Sequence, residues 1–333
     1  MTNTVPTIAT ICSHSALQIF HGAKSVGLPT LGICTHDKEE FYRSFPEASP
    51  DELLAVDRYE EILSGEIQSR LNERNAIIIP HGSFVEYVGS ENLLTQFEVP
   101  VFGNKYTLEW ESDRTKERKW LKSANIRIPR TYDTPAEIDG TAIVKFSGAK
   151  GGEGFFLVRS EEEFHQKIGD SEEDYTIQEW IDGTRYYPHY YYSPGKGRLE
   201  ILGIDRRDES NIDEYYRAGE GEKSFVVVGN KPLVARESLL PQVYEMGKRL
   251  VKSSKKLFPP GLLGPFCLET ICTNQLEFVT FEVSGRIVAG TNLYPKGSPY
   301  SPYYFDEPMS TGKRIAREVN RAHKMGDLSQ ITS

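Results

Sequence analysis

No stretch of this chain runs to about 18 consecutive apolar residues, so no membrane-spanning helix is expected. Cysteine is scarce. Cys12, Cys34, Cys267 and Cys272 are the only four in 333 residues, and no two form a C-x-x-C pair. That excludes a zinc finger or a dithiol redox motif, and the density is too low for a disulfide scaffold. Basic residues are in deficit, 39 against 48 acidic, for a net charge of -9. A surface of that sign does not bind nucleic acid or a membrane as a whole, although local basic pockets stay open. The opening "MTNTVPTIATICSHS" has no basic region followed by an apolar core, and the expected location is the cytoplasm. Internal repeats are missing. So are the two best-known phosphate fingerprints, G-x-x-x-x-G-K-[ST] and G-x-G-x-x-G.

What is present is an ordinary globular composition, 38% hydrophobic and 26% charged, with length for two or three domains. "TIATIC" (7–12) reads as a strand. Ala16, Ile19, Phe20, Ala23 and Val26 then recur at helical spacing, with Ser13 to cap the start and Gly27 to end it, and "LPTLGICT" follows as a second strand. That is a βαβ unit, and "AIIIP" (76–80) adds a strand buried on both faces. Residues 1–105 are therefore expected to form an N-terminal α/β domain. The segment 111–126 reads as a charged surface helix. From residue 142 the chain becomes strand-rich, interrupted by helices near 161–168 and 237–257, which is an α+β pattern. "SPYSPYYFDEP" (298–308) reads as an ordered loop.

"VKFSGAKGGEGFF" (144–156) sets Gly148, Gly151, Gly152 and Gly154 behind Lys145, between two strand-like runs. Such a hairpin can fold its backbone N–H groups over phosphates. A lysine flanked by Ile143, Val144 and Phe146 calls for an anion partner if it is buried. The plainer reading is an edge-strand lysine that reaches water. "IQEWIDG" (177–183) can offer backbone groups to a purine edge, or be an unremarkable strand. Glu269 in "CLE" and Glu282 in "FEVSGR" lie in two apolar strand-like runs that antiparallel pairing can bring side by side. Facing carboxylates repel unless a cation joins them, and hard oxygen ligands beside phosphate suit Mg²⁺. Otherwise they are solvated glutamates. Arg286 stands where it can clamp a transferring phosphoryl group.

The order of lysine strand, glycine hairpin, "QEWI" hinge and paired glutamates resembles the ATP-grasp superfamily. Over nearly the whole chain the phrases "ATICSHSALQIFHGAK", "PHGSFVEYVG", "FGNK" with "WESDR", "YPHYYYS", "GIDRRDESN", "GPFCLE" and "FEVSGRIVAGTN" more closely resemble the archaeal formate-dependent ligases that formylate aminoimidazole carboxamide ribotide (AICAR). The resemblance implies an ATP-grasp fold, α/β and α+β, in three parts: a substrate domain at 1–105, a lid with the glycine hairpin at 106–185, and a catalytic part at 186–333.

It also implies roles. His14, Ser83, Asn230 and Arg207 would bind ribotide or another anionic substrate. Lys145 and Gly148, Gly151, Gly152 and Gly154 would hold the ATP phosphates, Gln178, Glu179, Trp180 and Ile181 the adenine, and Glu209 the nucleotide. Glu269 and Glu282 would hold Mg²⁺ or Mn²⁺, and Arg286 and Lys145 would be catalytic. In the wider superfamily an Asn often stands where Ser284 is, which puts a third side-chain ligand in doubt. The implied reaction is formation of formyl phosphate from ATP and formate, then attack by the ribotide amine, in purine synthesis. A homo-oligomer is implied, with the tyrosines of "TRYYPHYYYSP" (184–194) as either contacts or core. Two rivals remain: an ATP-grasp ligase with another carboxylate or amine, and a non-catalytic nucleotide and ribotide sensor.

Overall fold

The computed structural model describes residues 4–146, 154–169, 171, 173–209 and 226–333. The N-terminal part is a four-stranded parallel sheet of β1 (Thr7–Ile11), β2 (Thr30–Thr35), β3 (Glu52–Val56) and β4 (Ala76–Ile78), in the order β3-β2-β1-β4. Its strands are continuous apolar runs because helices cover both faces. α1 (Ala16–Lys24), α2 (Glu39–Arg43), α3 (Gly65–Glu73) and α4 (Ser90–Thr95) supply the connections. The chain leaves β1 towards β2 on one side and returns to β4 on the other. The crevice between the C-terminal ends of β1 and β4 is thus a topological switch point, where open α/β sheets bind ligands.

Residues 105–123 are two helices, α5 (Lys105–Ser112) and α6 (Arg114–Ser123). Asp113 breaks them apart and caps the second by accepting from the N–H groups of Thr115 and Lys116. The expected charged surface helix is therefore corrected. Trp120 and Leu121 are core residues, and Glu117 is buried with them.

A second sheet, antiparallel and ordered β5-β8-β6-β7, contains β5 (Thr131–Tyr132), β6 (Ala142–Phe146), β7 (Phe155–Val158) and β8 (Tyr175–Glu179), with α7 (Glu161–Ile168) packed on it. β6 and β7 pair antiparallel, and the glycine-rich segment connects them in sequence. The Phe146 N–H donates to the Gly154 carbonyl at its base, and Gly148, Gly151 and Gly152 lie outside the described residues.

The third sheet, β11-β10-β9-β12-β13, is antiparallel. Its strands are β9 (Thr184–Ser193), β10 (Arg198–Glu209), β11 (Val227–Pro232), β12 (Gly264–Cys272) and β13 (Phe278–Ser284). α8 (Leu240–Leu257) lays Val243, Met246, Leu250 and Val251 against it, in a core shared with Trp120, Phe258 and Phe266. Tyr187, Tyr190 and Tyr191 are all fully buried, so these tyrosines of the "TRYYPHYYYSP" stretch are core. Finally α9 (Thr311–Met325) and the tail return to the first sheet. Thr332 bridges to Phe102, and Gly312 sits directly on α1.

Candidate functional site

The switch point is built from two turns. Ser13 and His14 follow β1, and His14 takes a positive φ of 51°. His81, Gly82 and Ser83 follow β4. The fully buried His81 donates from Nε2 to the Ile11 carbonyl (3.0 Å) and accepts at Nδ1 from the Ser83 N–H (3.3 Å). That network fixes a neutral tautomer, consistent with burial pushing its pKa down to about 3. The His14 ring stacks on His81, with 5.2 Å between centroids and 3° between planes. His14 is open to the cleft, yet the cleft walls desolvate it, and the positive Arg286 and Arg207 add to this, so its pKa is well below the usual imidazole range. Ser83 Oγ donates to Ser13 Oγ at 2.9 Å, tying the two turns together.

One face of the third sheet carries a row of polar groups, because strand alternation sends Asp205, Arg207 and Glu269 to the same side. Asn230 stands opposite Arg207, and Glu282 stands opposite Glu269. Asp205 accepts from His189 Nε2 (2.6 Å) and from Asn230 Nδ2 (2.7 Å). Arg207 lies over the Tyr187 ring at 4.4 Å and ion-pairs with Glu269. Ser284 Oγ reaches the same Glu269 oxygen at 3.5 Å. The other oxygen, Oε2, is buried and has no hydrogen-bond partner. Such an atom is costly unless something positive sits on it. Glu282 opens to the cleft but is ringed by protein. Glu269, then desolvation, raise its pKa to about 7. Glu209, at the end of β10, is nearly buried against Arg185.

The second sheet faces this row. Lys145 Nζ donates to Gln178 Oε1 at 3.0 Å. Burial lowers the Lys145 pKa, with Glu282 pulling the other way. At the hinge the Glu179 carboxylate accepts from the Arg130 N–H (3.0 Å) and the Trp180 N–H donates to the Thr141 carbonyl (2.9 Å). The Glu179 N–H donates to the Arg130 carbonyl (2.8 Å) as well, so both its side chain and its N–H are engaged by the protein. Trp180 Nε1 donates to Asp182, and Ile181 is half-buried.

Two buried acidic residues behind the cleft wall have no counterpart in the sequence reading. Glu111 accepts from Arg286 Nε (2.8 Å) and the Gly285 N–H (2.5 Å), and Glu117 accepts from the Val283 N–H (2.5 Å). Burial raises the pKa of both, Glu117 strongly, with Glu282 as its next cause. The Asp113 cap marks where α6 starts, but which of its residues are buried is decided by docking against β13. Among the described residues no group of three or more His, Cys, Asp or Glu is arranged to hold a metal.

Residues 158–333 match the family model described as "Domain of unknown function (DUF1297)", and residues 8–132 match "Protein of unknown function (DUF1246)". The chain is 52% identical, over 98% of its length and 95% of the relative's, to the 5-formaminoimidazole-4-carboxamide-1-(beta)-D-ribofuranosyl 5'-monophosphate synthetase of Methanosarcina barkeri. It belongs to that synthetase family. The crystal structure of the IMP biosynthesis protein PurP from Thermococcus kodakaraensis superposes with a TM-score of 0.79 at 32% identity, covering 98% of this chain and all of that one. The ADP complex of purK, an N5-carboxyaminoimidazole ribonucleotide synthetase, shares the fold at a TM-score of 0.67 and 15% identity, over 96% of this chain and 79% of that one. The architecture of this family member is that of an ATP-grasp ligase.

Proposed function

We propose that this chain formylates the 5-amino group of AICAR, using ATP and formate, in the synthesis of IMP. The observation that carries this reading is the placement of the Glu269–Glu282 pair in one cleft, with Lys145 on the lid above it and the His14–Ser83 switch point beside it. Nucleotide, cation and ribotide each have a chemically suited wall. The N-terminal sheet (1–105) takes the ribotide, the lid (106–185) covers ATP, and 186–333 supplies the catalytic face. That reading carries with it a cytoplasmic homo-oligomer, as the resemblance implies.

Formate attacks the γ-phosphorus of ATP through a carboxylate oxygen, and ADP leaves with the bonding electrons. The ribotide amine then attacks the formyl carbon. The C–O bond to phosphate breaks, phosphate departs, and the amine loses a proton. Lys145 and the hairpin residues Gly148, Gly151, Gly152 and Gly154 hold the phosphates, while Gln178 to Ile181 and Glu209 hold the nucleoside. His14, Ser83, Asn230 and Arg207 orient the ribotide. Arg286 offsets charge on the migrating phosphoryl group, where catalysis is mainly positioning and electrostatics. The unpartnered Glu269 Oε2 and the facing Glu282 fit a hard divalent cation, Mg²⁺ or Mn²⁺. When bound, that cation supplies positive charge to the phosphate oxygens. Closure of the lid keeps water from the acyl phosphate.

The experiment is to incubate purified protein with ATP, Mg²⁺, AICAR and formate, following ADP and formyl-AICAR together, with each substrate omitted in turn. Equal amounts of both products, absent without formate, are expected. ADP without formyl-AICAR would point to another amine acceptor. No turnover with ATP still bound would point to another carboxylate or to a sensor.

A further inference from the structure

β13 is the edge strand of the catalytic sheet, so alternate N–H groups along it face away from β12. On an exposed edge these meet water. Here the N–H groups of Val283 and Gly285, two residues apart and on the same side, are each taken by a carboxylate from the α5–α6 break: Glu117 and Glu111 respectively. They bracket Ser284, just beyond Glu282. Glu111 goes further. Its second oxygen holds Nε of Arg286, whose side chain is 14% exposed while that of Glu111 is 4% exposed. Nε is engaged by Glu111, and Nη1 makes a long contact of 3.4 Å to the Ile287 carbonyl while lying beside the switch point. Nη1 lies 3.4 Å from where a Cβ on Gly82 would stand, and His14 Nε2 lies 2.9 Å from the same point. Arg286 therefore spans from Glu111 to the switch point, and one acidic residue holds both its guanidinium and the backbone N–H of Gly285 just before it.

We propose that Glu111 is a positioning residue for the phosphoryl and formyl transfer: it acts through Arg286, setting the guanidinium between the carboxylate pair and the His14–Gly82 turn. This rests on the role given to Arg286 above. Glu111 itself faces the protein and touches no substrate. A residue that acts only through another loses its effect when that other is gone, and a double-mutant cycle detects this.

Turnover, ATP KM and melting temperature are to be measured for Glu111→Gln, Arg286→Met and the double variant in the full chain. Arg286→Met is expected to lower kcat about 100-fold and Glu111→Gln about 30-fold, with ATP KM within about 3-fold of wild type. The double variant is expected to stay within about 3-fold of Arg286→Met alone. Multiplication of the two losses, to about 3,000-fold, would show that Glu111 acts independently and would overturn the proposal while leaving Arg286 its role. Wild-type turnover in Arg286→Met would overturn both. Glu111→Gln leaves a buried guanidinium without its counter-charge and can fail to fold. Glu111→Asp is the second probe, keeping the charge but withdrawing it by one methylene. It is expected to lose about 10-fold in kcat at an unchanged melting temperature and ATP KM. Unchanged kcat in Glu111→Asp would overturn the proposal.

Discussion

Glu269 and Glu282 face one another across β12 and β13, and the buried Oε2 of Glu269 has no partner. The pair raises the Glu282 pKa to about 7, from an ordinary 4.5. Between those values the folded, metal-free protein holds a proton that the unfolded chain has lost. Its stability from this group is therefore full below about pH 4.5 and declines as pH rises through about 7. A divalent cation needs the deprotonated form, so its stabilisation should grow over the same window and level off above it. The check is melting temperature with and without Mg²⁺ from pH 5 to 8.5. Glu282→Gln should abolish both the metal increment and its pH dependence, and should lower turnover far more than ribotide affinity. An increment independent of pH would reject the assignment.

Lys145 is held by Gln178 on the adjacent strand of the lid, and burial has already weakened its hold on its proton. A bound phosphate would favour the charged form. Lys145→Met should weaken ATP binding by about 10- to 100-fold in calorimetric titration, the scale of one charge-assisted contact. It should leave AICAR binding within about 2-fold, since the ribotide wall belongs to a different sheet. Equal losses for both ligands would mean that the lysine supports the fold instead.

How far the sequence reveals this site depends on whether the deciding forces are local. β1, α1 and β2 were legible because continuous apolar runs and a 3.6-residue period report burial directly. The Glu269–Glu282 pairing was legible because both acids interrupt apolar strands joined by a short connection. Glu111 and Glu117 were not. Their neighbours are charged, so the segment reads as solvated, and only its docking on the edge of β13 buries them. α9 was missed although Ser310 caps it and Ile315 and Val319 mark its buried face. Its partner, α1, lies about 290 residues away, where no local pattern reaches.

Asn230 can turn either end of its amide to the cleft, and Asp205 decides which. A carboxylate only accepts, so Asn230 must give its NH₂ to Asp205 and present its oxygen. His189 pins Asp205 from the other side. Asp205→Asn introduces a donor into this buried network and frees the Asn230 amide to flip. The expected result is a rise in ribotide KM of about 10-fold, the scale of one misdirected hydrogen bond, with ATP KM unchanged. Steady-state kinetics at varied AICAR provide the check. An unchanged ribotide KM would remove Asn230 from the ribotide wall.

α1 and α9 cross with backbone against backbone. A Cβ added to Gly312 would stand 2.2 Å from the Gln18 carbonyl oxygen, and one added to Gly22 would stand 2.2 Å from the backbone of Gly312. No side chain can swing aside there, so the helices must separate. Gly312→Ala should destabilise the protein by about 1–3 kcal/mol, or more if the helices cannot yield. The displacement should also reach the ligand site. α1 begins just after Ser13 and His14, and Gln18 on it accepts from the Gly312 N–H and donates to Asn292, which in turn donates to the His14 carbonyl. A shift of α1 therefore moves the His14 turn. Gly312→Ala is expected to lower the melting temperature and raise ribotide KM while leaving ATP KM alone, because the proposed nucleotide wall is formed by the other two sheets. A melting temperature within a degree of wild type would show that the crossing is looser than this packing requires.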